Sequence, residues 1–280
     1  NKNLIVFSFQ ANIYCIIICK LFGIKVISRS NSAPFGWSRN LLKRYIFKIF
    51  LNLADKVMVN SEQFKKDLKR EFNVKAVCIY NPLNKNEIKK KSRVKASKIF
   101  RSNKKLKILN IGRFTEQKDQ FTLLRSLNYL QNIIDYEAVI IGRGALKPNL
   151  QKYLTSNNLK NKIRLINFVE NPFNLLKQAD LFILSSIYEG LPNVLLEALV
   201  LNKFIISSDC PTGPNEILLN GKGGLLFKIG DDKDLSKKIV YFFKNKKKCN
   251  KLLKFAVKKL DRFDYKKNLE KYSHLVDSVR

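Results

Sequence analysis

Between residues 104 and 244, six short apolar runs alternate with six segments of helical spacing. KILNIG, EAVIIG, KIRLINFV, LFILSS, FIISS and GLLFK are long enough for buried strands and too short for helices. QFTLLRSLNYL, LKPNLQKYLTSN, PFNLLKQA, NVLLEALVL, GPNEILLN and DLSKKIVYFFK fill the gaps between and after them. Parallel strands need crossover connections, and those crossovers cover both faces of the sheet, so the alternation predicts an α/β fold with a parallel sheet between helices. Ligands of such sheets bind beyond the carboxyl ends of the strands. The turns that follow each strand are therefore where chemistry is expected.

A second, less regular alternation precedes it. NLIVFSF, KVISRS, DKVMVNS and KAVCIYNP read as strands. NIYCIIICKLFG reads as a buried helix, RNLLKRYIFKIFLNLA and EQFKKDLKREF as further helices, and a loop holds Pro34, Gly36 and Trp37. The connector LNKNEIKKKSRVKASKIFRSNKKLK is lysine-rich and poor in apolar residues, with Phe100 its only aromatic, and reads as a hinge or solvated linker. The expected organisation is a partial N-terminal Rossmann-like domain with its basic linker over 1–95 and a C-terminal Rossmann-like domain over 96–260. A terminal helix over 261–280 is a candidate to cross back to the first domain. The sequence opens on Asn1 and runs at once into a strand, so it is expected to begin inside a domain.

Charge narrows the partners. Lys and Arg number 54 against 22 Asp and Glu, a formal charge of +32, which favours something acidic: nucleic acid, an anionic membrane surface or a phosphorylated substrate. The single histidine, His274, disfavours a zinc site or a Ser-His-Asp triad. The five cysteines form no CxxC pair and read as reduced, mostly buried thiols of a reducing compartment. The longest apolar run, ANIYCIIICKLFGI, is interrupted by Lys20 and falls short of a membrane span.

Four strand ends carry unusual residues. In NIGRFTEQKD a strand ends at Gly112, and Arg113 and Lys118 follow, with Lys118 expected to open a helix. A guanidinium fork and an ammonium at such a turn suit a diphosphate. IIGRGALKPNL is an incomplete dinucleotide signature, with lysine at 147, and reads better as a plain turn. In SSIYEGLPNVLLEAL, Glu189 lies in the turn and Glu197 two turns into a helix opened by Pro192 and capped by Asn193. A helix N-terminus favours phosphate, but carboxylates repel it and bind hydroxyls, so two acids flanking such a turn suit sugar hydroxyls. SSDCPTGPNEIL supplies another Pro- and Gly-rich turn. The formal D-x-D at Asp232 and Asp234 sits where a helix begins and reads as capping rather than as a metal site.

These motifs together, GRF…QKD, GRG, FVENP…ADLFILSSIYEGLPNVLLEAL and DCPTGPNEIL…GKGGLLFKIGD, resemble the donor domain of retaining glycosyltransferases of family 4, over residues 106 to about 240. The eight-residue step from Glu189 to Glu197 matches that family's E-x7-E motif. The resemblance implies the GT-B architecture of two facing Rossmann-like domains, the N-terminal one incomplete here. It implies that Arg113 and Lys118, with Gly112 at the turn, hold the donor diphosphate, and that Glu189 contacts the transferred sugar. The backbone of Gly190, Leu191, Pro192 and Asn193 would approach phosphates and sugar, Glu197 would bind the ribose, and Val169 would offer backbone groups to the base. No metal and no cofactor would be needed; the co-substrate would be a nucleotide-sugar, UDP-linked. The DCPTGPNEIL variant resembles members that transfer N-acetylhexosamines.

Two departures stand out. The glycine-rich loop that members carry near the N-terminus is absent from this sequence, which puts the missing portion at two βαβ units or slightly more, at about 30 residues each. Where many members have a histidine near the sugar, VISRSNSAP has Arg29, an acceptor-side candidate for a phosphate of the donor or of a lipid diphosphate. The expected acceptor is a glycan or polyprenyl-diphosphate-linked glycan of bacterial surface polysaccharide synthesis. The expected location is cytoplasmic, on the inner face of the plasma membrane, with the RNLLKRYIFKIF helix as docking surface and no nucleic-acid partner. A non-catalytic scaffold of the same fold, or a basic nucleic-acid-binding protein, are the alternatives.

Overall fold

The computed structural model describes residues 4–31 and 40–280; the loop of Pro34, Gly36 and Trp37 lies outside them. The first domain is built from β1 (Ile5–Ser8), α1 (Asn12–Leu21), β2 (Lys25–Ser30), α2 (Leu41–Leu53), β3 (Lys56–Val59), α3 (Glu62–Phe72) and β4 (Ala76–Cys78). Its strands pair in parallel in the order β1-β2-β3-β4. After α4 (Lys85–Ser92) come β5 (Leu106–Ile111), α5 (Gln120–Tyr129), β6 (Tyr136–Ile141), α6 (Lys147–Ser156), β7 (Ile163–Ile166) and α7 (Phe173–Leu176). The chain continues through β8 (Leu181–Leu184), α8 (Asn193–Val200), β9 (Phe204–Ser208), α9 (Pro214–Ile217) and β10 (Leu225–Phe227), then α10 (Asp232–Lys244), α11 (Lys246–Lys258) and α12 (Tyr265–Asp277).

The second sheet is parallel with order β10-β9-β8-β5-β6-β7. The strand order reverses between β5 and β8, where a doubly wound sheet opens a crevice for ligand. All residues of β6 and β8 are buried, as expected for strands covered on both faces. Each fully buried Leu, Ile or Phe of this core contributes about 1.5–3 kcal/mol.

The connector departs from the solvated linker expected of it. Ile88, Ile99 and Phe100 are buried in the core of the second domain, and α4 packs on α7 and α8. The buried Glu137 of β6 explains the rest. Its carboxylate accepts the N–H groups of Arg101 and Ser102 at 2.7 and 3.2 Å and pairs with Arg164, whose guanidinium also donates to the carbonyl of Ile99. Three apolar side chains and one buried acid anchor a segment whose lysines had masked them.

α1 also differs from expectation. Only Ile16 and Cys19 are buried; Tyr14, Ile18 and Leu21 are exposed, so the helix covers its sheet with one narrow stripe. At the other end of the chain, Leu275 and Val279 pack with Ile27, Met58 and Ile79 of the first domain, and α12 closes that sheet's second face. Replacing Leu275 by Ala is expected to cost about 2–5 kcal/mol, read as a lowered thermal midpoint for the first domain in native-state hydrogen exchange or calorimetry.

Candidate active site

The reversal between β5 and β8 decides which turns meet. β5 ends at Ile111, and Gly112, Arg113 and Phe114 follow. Phe114 is fully buried and pins the turn from below. The turn after β6 lies against it: a Cβ on Gly142 would stand 1.9 Å from the Gly112 carbonyl oxygen, and one on Gly144 2.3 Å from that of Phe114. The two turns exchange backbone hydrogen bonds, Phe114 N–H to Arg143 at 2.9 Å and Leu146 N–H to Phe114 at 3.2 Å. The GRG triplet thus serves as a close-packing turn that supports Arg113.

Lys118 does not open a helix. It ends a single 3-10 turn (Glu116–Lys118), and α5 begins at Gln120 under a cap from Asp119, whose left-handed backbone breaks the two apart. That break turns Lys118 toward β8. Gln117 stitches the two turns: it accepts from Arg113 at 3.1 Å, donates from its side chain to the Tyr188 carbonyl at 3.0 Å, and its own carbonyl accepts Ile187 N–H at 2.8 Å. Lys118 Nζ then meets Glu189 Oε1 at 2.5 Å, and Ser186 Oγ donates to the same oxygen at 2.6 Å. Glu189 is 7% exposed, so this is a buried ion pair with a hydroxyl partner. Gly112 lies under the stem of Lys118, 3.5 Å from it at the position of a Cβ.

Gly190 and the residues after it join the domains. A Cβ on Gly190 would stand 1.9 Å from the Asn31 carbonyl oxygen, across the domain boundary. Thr212 Oγ1 donates to the Glu189 carbonyl at 2.6 Å, and Gly213 packs on the Gly190 carbonyl with φ of 74°. Leu191 and Pro192 are buried and shape the entry to α8. Asn193 does not cap that helix; its Oδ1 accepts from Asn81 Nδ2 at 2.7 Å. Asn81 in turn accepts from Arg29 at 2.7 Å, giving a chain Arg29–Asn81–Asn193 between the domains. Arg29 is flanked by the rings of Phe9 and Tyr272 at 5.3 and 5.8 Å. Its buried Nε has no hydrogen-bond partner among the described residues.

These groups surround connected cavities. The largest, about 1120 Å³, is lined by Arg29 and Asn31 on one side and Arg113, Gln117, Lys118, Glu189 and Gly190 on the other, with α1 and α2 forming an apolar wall. A cavity of about 440 Å³ shares Arg29 and Asn31 and extends to Asn60, Asn81, Leu191 and Asn193. A third, about 180 Å³, starts from Asn81 and Asn193 and reaches Glu197 between α4 and α8. Burial pushes the Glu197 carboxyl up to about 7, and no hydrogen bond or ion pair satisfies it among the described residues. Glu197 is therefore a neighbour of the main cleft rather than part of its wall. Val169, half-buried after β7, lies two strands from β5 and lines none of these three cavities. Asp232 and Asp234 lie elsewhere: Asp231 caps α10, Asp232 pairs with Arg125 at 2.5 Å, and Asp234 accepts Lys228 N–H at 3.1 Å.

Several contributors escaped the sequence. Gln117 and Ser186 stand inside quoted motifs but show no signal of their own, and Asn31, Asn60 and Asn81 follow strands of the first domain. Asparagine directly after a strand's last residues (VNS, YNP) was the available cue.

Two parallel α/β domains face each other across a cleft whose second wall carries cations and a carboxylate at the point of strand reversal; that is the GT-B architecture. The chain superposes on a UDP complex of Anabaena HepE with TM-score 0.82 and 17% identity, covering 98% of this chain and 79% of that one. It also superposes on the pneumococcal O-GlcNAc transferase GtfA with UDP and GlcNAc (TM-score 0.77, 15% identity, 100% and 57% covered). Residues 92–259 match the model of the glycosyl transferases group 1, and the chain belongs to that family. An uncharacterized glycosyltransferase of Methanocaldococcus jannaschii is 36% identical over 69% of this chain and 52% of its own length. A Campylobacter jejuni N-acetylgalactosamine-N,N'-diacetylbacillosaminyl-diphospho-undecaprenol 4-alpha-N-acetylgalactosaminyltransferase is 26% identical over 79% of this chain and 62% of its own. The chain thus spans between about half and three-fifths of the length of these two relatives.

The buried pair yields a test of its own. Lys118→Met leaves the Glu189 charge without its ammonium and is expected to cost about 3–5 kcal/mol in denaturant unfolding, while Lys118→Met/Glu189→Gln recovers a large part of the loss. With Glu189→Gln alone closing the cycle, a double-variant loss equal to the sum of the two single losses would show that the pair is not coupled.

Proposed function

We propose that the chain serves a retaining, metal-independent glycosyltransferase of family 4 that moves a sugar, an N-acetylhexosamine, from a UDP donor to a glycan or polyprenyl-diphosphate-linked acceptor of bacterial surface polysaccharide synthesis. The observation that carries this reading is the Lys118–Glu189 pair with Arg113 at the strand reversal, sharing one cleft with Arg29 of the other domain. The Campylobacter relative, named for a diphospho-undecaprenol acceptor, supports the acceptor class.

The chemistry follows from charge. The bond between the sugar's anomeric carbon and the donor phosphate oxygen breaks, and its electron pair leaves with the diphosphate. Arg113 and Lys118 stabilise that growing charge where it develops, a role a divalent cation fills in other sites. Glu189 holds sugar hydroxyls and, through Lys118, ties sugar position to phosphate position. The Gly190–Asn193 backbone lies along phosphates and sugar, Glu197 accepts from the ribose, and Val169 meets the base at the outer strand. The acceptor hydroxyl bonds to the anomeric carbon on the face the diphosphate leaves, and its proton passes to the departing phosphate oxygen. Arg29, whose Nε has no hydrogen-bond partner among the described residues, neutralises a phosphate on the acceptor side.

The site of work is the cytoplasmic face of the plasma membrane. Among the described residues no helix is long and apolar enough to cross a membrane. Yet α2 exposes Leu41, Leu42, Tyr45 and Ile49 around Lys43 and Lys48, and α1 exposes Leu21 with Phe22 after it. Cations with aromatic and aliphatic side chains on one surface suit an anionic lipid interface.

Donor binding is tested by calorimetry with UDP. Because the Glu197 carboxyl is half protonated near pH 7, affinity is expected to rise between about pH 6 and 8 as the acceptor carboxylate forms. Glu197→Gln should flatten that dependence. In the unliganded protein the folded carboxyl keeps its proton after the unfolded one has lost it, so stability falls from about pH 4.5 to about 7, and Glu197→Gln removes this slope. Glu189→Gln should leave UDP affinity nearly intact and lower transfer by about a hundredfold or more. Binding equal in all three proteins at every pH would overturn the assignment.

Membrane docking is tested by co-sedimentation with vesicles. Binding to phosphatidylglycerol vesicles and not to phosphatidylcholine vesicles is expected, weakened about tenfold or more by Leu41→Ser/Leu42→Ser. Equal binding by the variant would exclude α2 as the docking surface.

A further inference from the structure

Glu216 belongs to α9, at the rim of the second domain, yet its carboxylate is spent on the first. Its oxygens accept the N–H groups of Glu62 and Gln63, at 3.2 and 3.4 Å, where α3 begins. One of them also accepts the Tyr80 hydroxyl at 2.5 Å. Ser61 already caps α3 by accepting Phe64 N–H at 3.1 Å, so Glu216 satisfies the amides that the helix's own cap leaves free. A carboxylate there also meets the positive end of the helix dipole.

Both passages of the chain between the domains converge on this residue. Tyr80 stands just before the outgoing passage, and its ring meets Phe263 edge-on at 4.7 Å. Arg262 stands in the returning passage, and it donates to the carbonyls of Glu216 and Ile217 at 2.8 and 3.0 Å. The two passages are themselves joined by Leu83 N–H to the Phe263 carbonyl at 2.9 Å and by the Lys85–Asp261 pair. Burial and the Glu216 carboxylate both push the Tyr80 phenol above its ordinary value, so Tyr80 stays the donor of that bond.

On the other side, Glu216 is three residues from Gly213 and four from Thr212, which hold Gly190 and the carbonyl of Glu189. A rigid path therefore runs from α3 through Glu216 and the 212–213 turn to the Glu189 loop. We propose that Glu216 is a positioning residue that locks the closed arrangement of the two domains and so sets the distance between the Arg29 wall and the Lys118–Glu189 wall of the cleft. The proposal deepens the glycosyltransfer reading and rests on it for the effect on turnover, though not for the effect on domain geometry. Among the described residues, Glu216 lines none of the three cavities of the site, so its loss acts on alignment and spares the groups that hold the donor.

The test uses the whole chain with an energy-transfer pair of fluorophores, one donor and one acceptor, attached to cysteines placed on α3 and α10, in a background whose two half-buried native thiols, Cys15 and Cys78, are replaced. Glu216→Ala is expected to broaden and lengthen the interdomain distance distribution, keep UDP affinity within about threefold, and lower kcat by about tenfold or more with KM for the donor little changed. Tyr80→Phe should give a smaller shift in the same direction, and Glu216→Gln, which retains one acceptor oxygen, should recover part of the closed population. Glu216→Ala with a parental distance distribution would overturn the proposal, as would a kcat loss that Glu216→Gln does not lessen. A parent protein that binds no UDP would sink the glycosyltransfer reading while leaving the distance measurement to decide the lock.

Discussion

The ion pair between Lys118 and Glu189 is the interaction on which the arrangement of the site depends. It joins the turn after β5 to the turn after β8, the two strands between which the sheet reverses, and it does so largely shielded from water, at the wall of the cleft. A pair so buried gains little net stability, because desolvation of both charges offsets most of their attraction. What it provides is mutual dependence: neither charge can sit there alone. Ser186 and Gln117 complete it, one by occupying the same carboxylate oxygen and the other by binding the two turns through backbone groups.

From that pair the cleft can be followed outward. Gly190 lets the loop touch the Asn31 carbonyl, and Asn81 bridges Arg29 to Asn193, so beside the cleft the two domains meet through backbone, amide and guanidinium groups. Polar contacts of this kind can open and re-form at small cost, unlike the packed core within each domain. The second domain is closed over a continuous core that includes the connector, whereas the first relies on α12 returning from the far end of the chain to cover its sheet. The Arg29 wall of the cleft is thus built from both ends of the sequence, with Phe9 and Tyr272 flanking the guanidinium.

Much of the second domain was legible residue by residue. The strand runs from KILNIG to GLLFK became β5 to β10, because a strand buried on both faces must be almost wholly apolar and its partners must be separated by helices. The candidate residues of the turns were legible for the same reason: a cation or acid directly after such a strand has no role in the core. Less was legible where polar residues do structural work. The lysines of the connector concealed Ile88, Ile99 and Phe100, and α1 looked fully buried because composition alone does not say how many faces a helix covers.

The sequence by itself determined the α/β alternation, the parallel sheets, which strand ends carry Arg113, Lys118 and Glu189, and that Glu197 lies in the helix that follows, since these follow from local periodicity and side-chain chemistry. Only the tertiary structure decided that Lys118 pairs with Glu189, that Glu197 opens into a neighbouring cavity, and that Glu216 reaches the other domain. Those facts depend on strand order and on contacts between residues 70 to more than 150 positions apart, and no local pattern encodes which distant groups a reversal of strand order brings face to face.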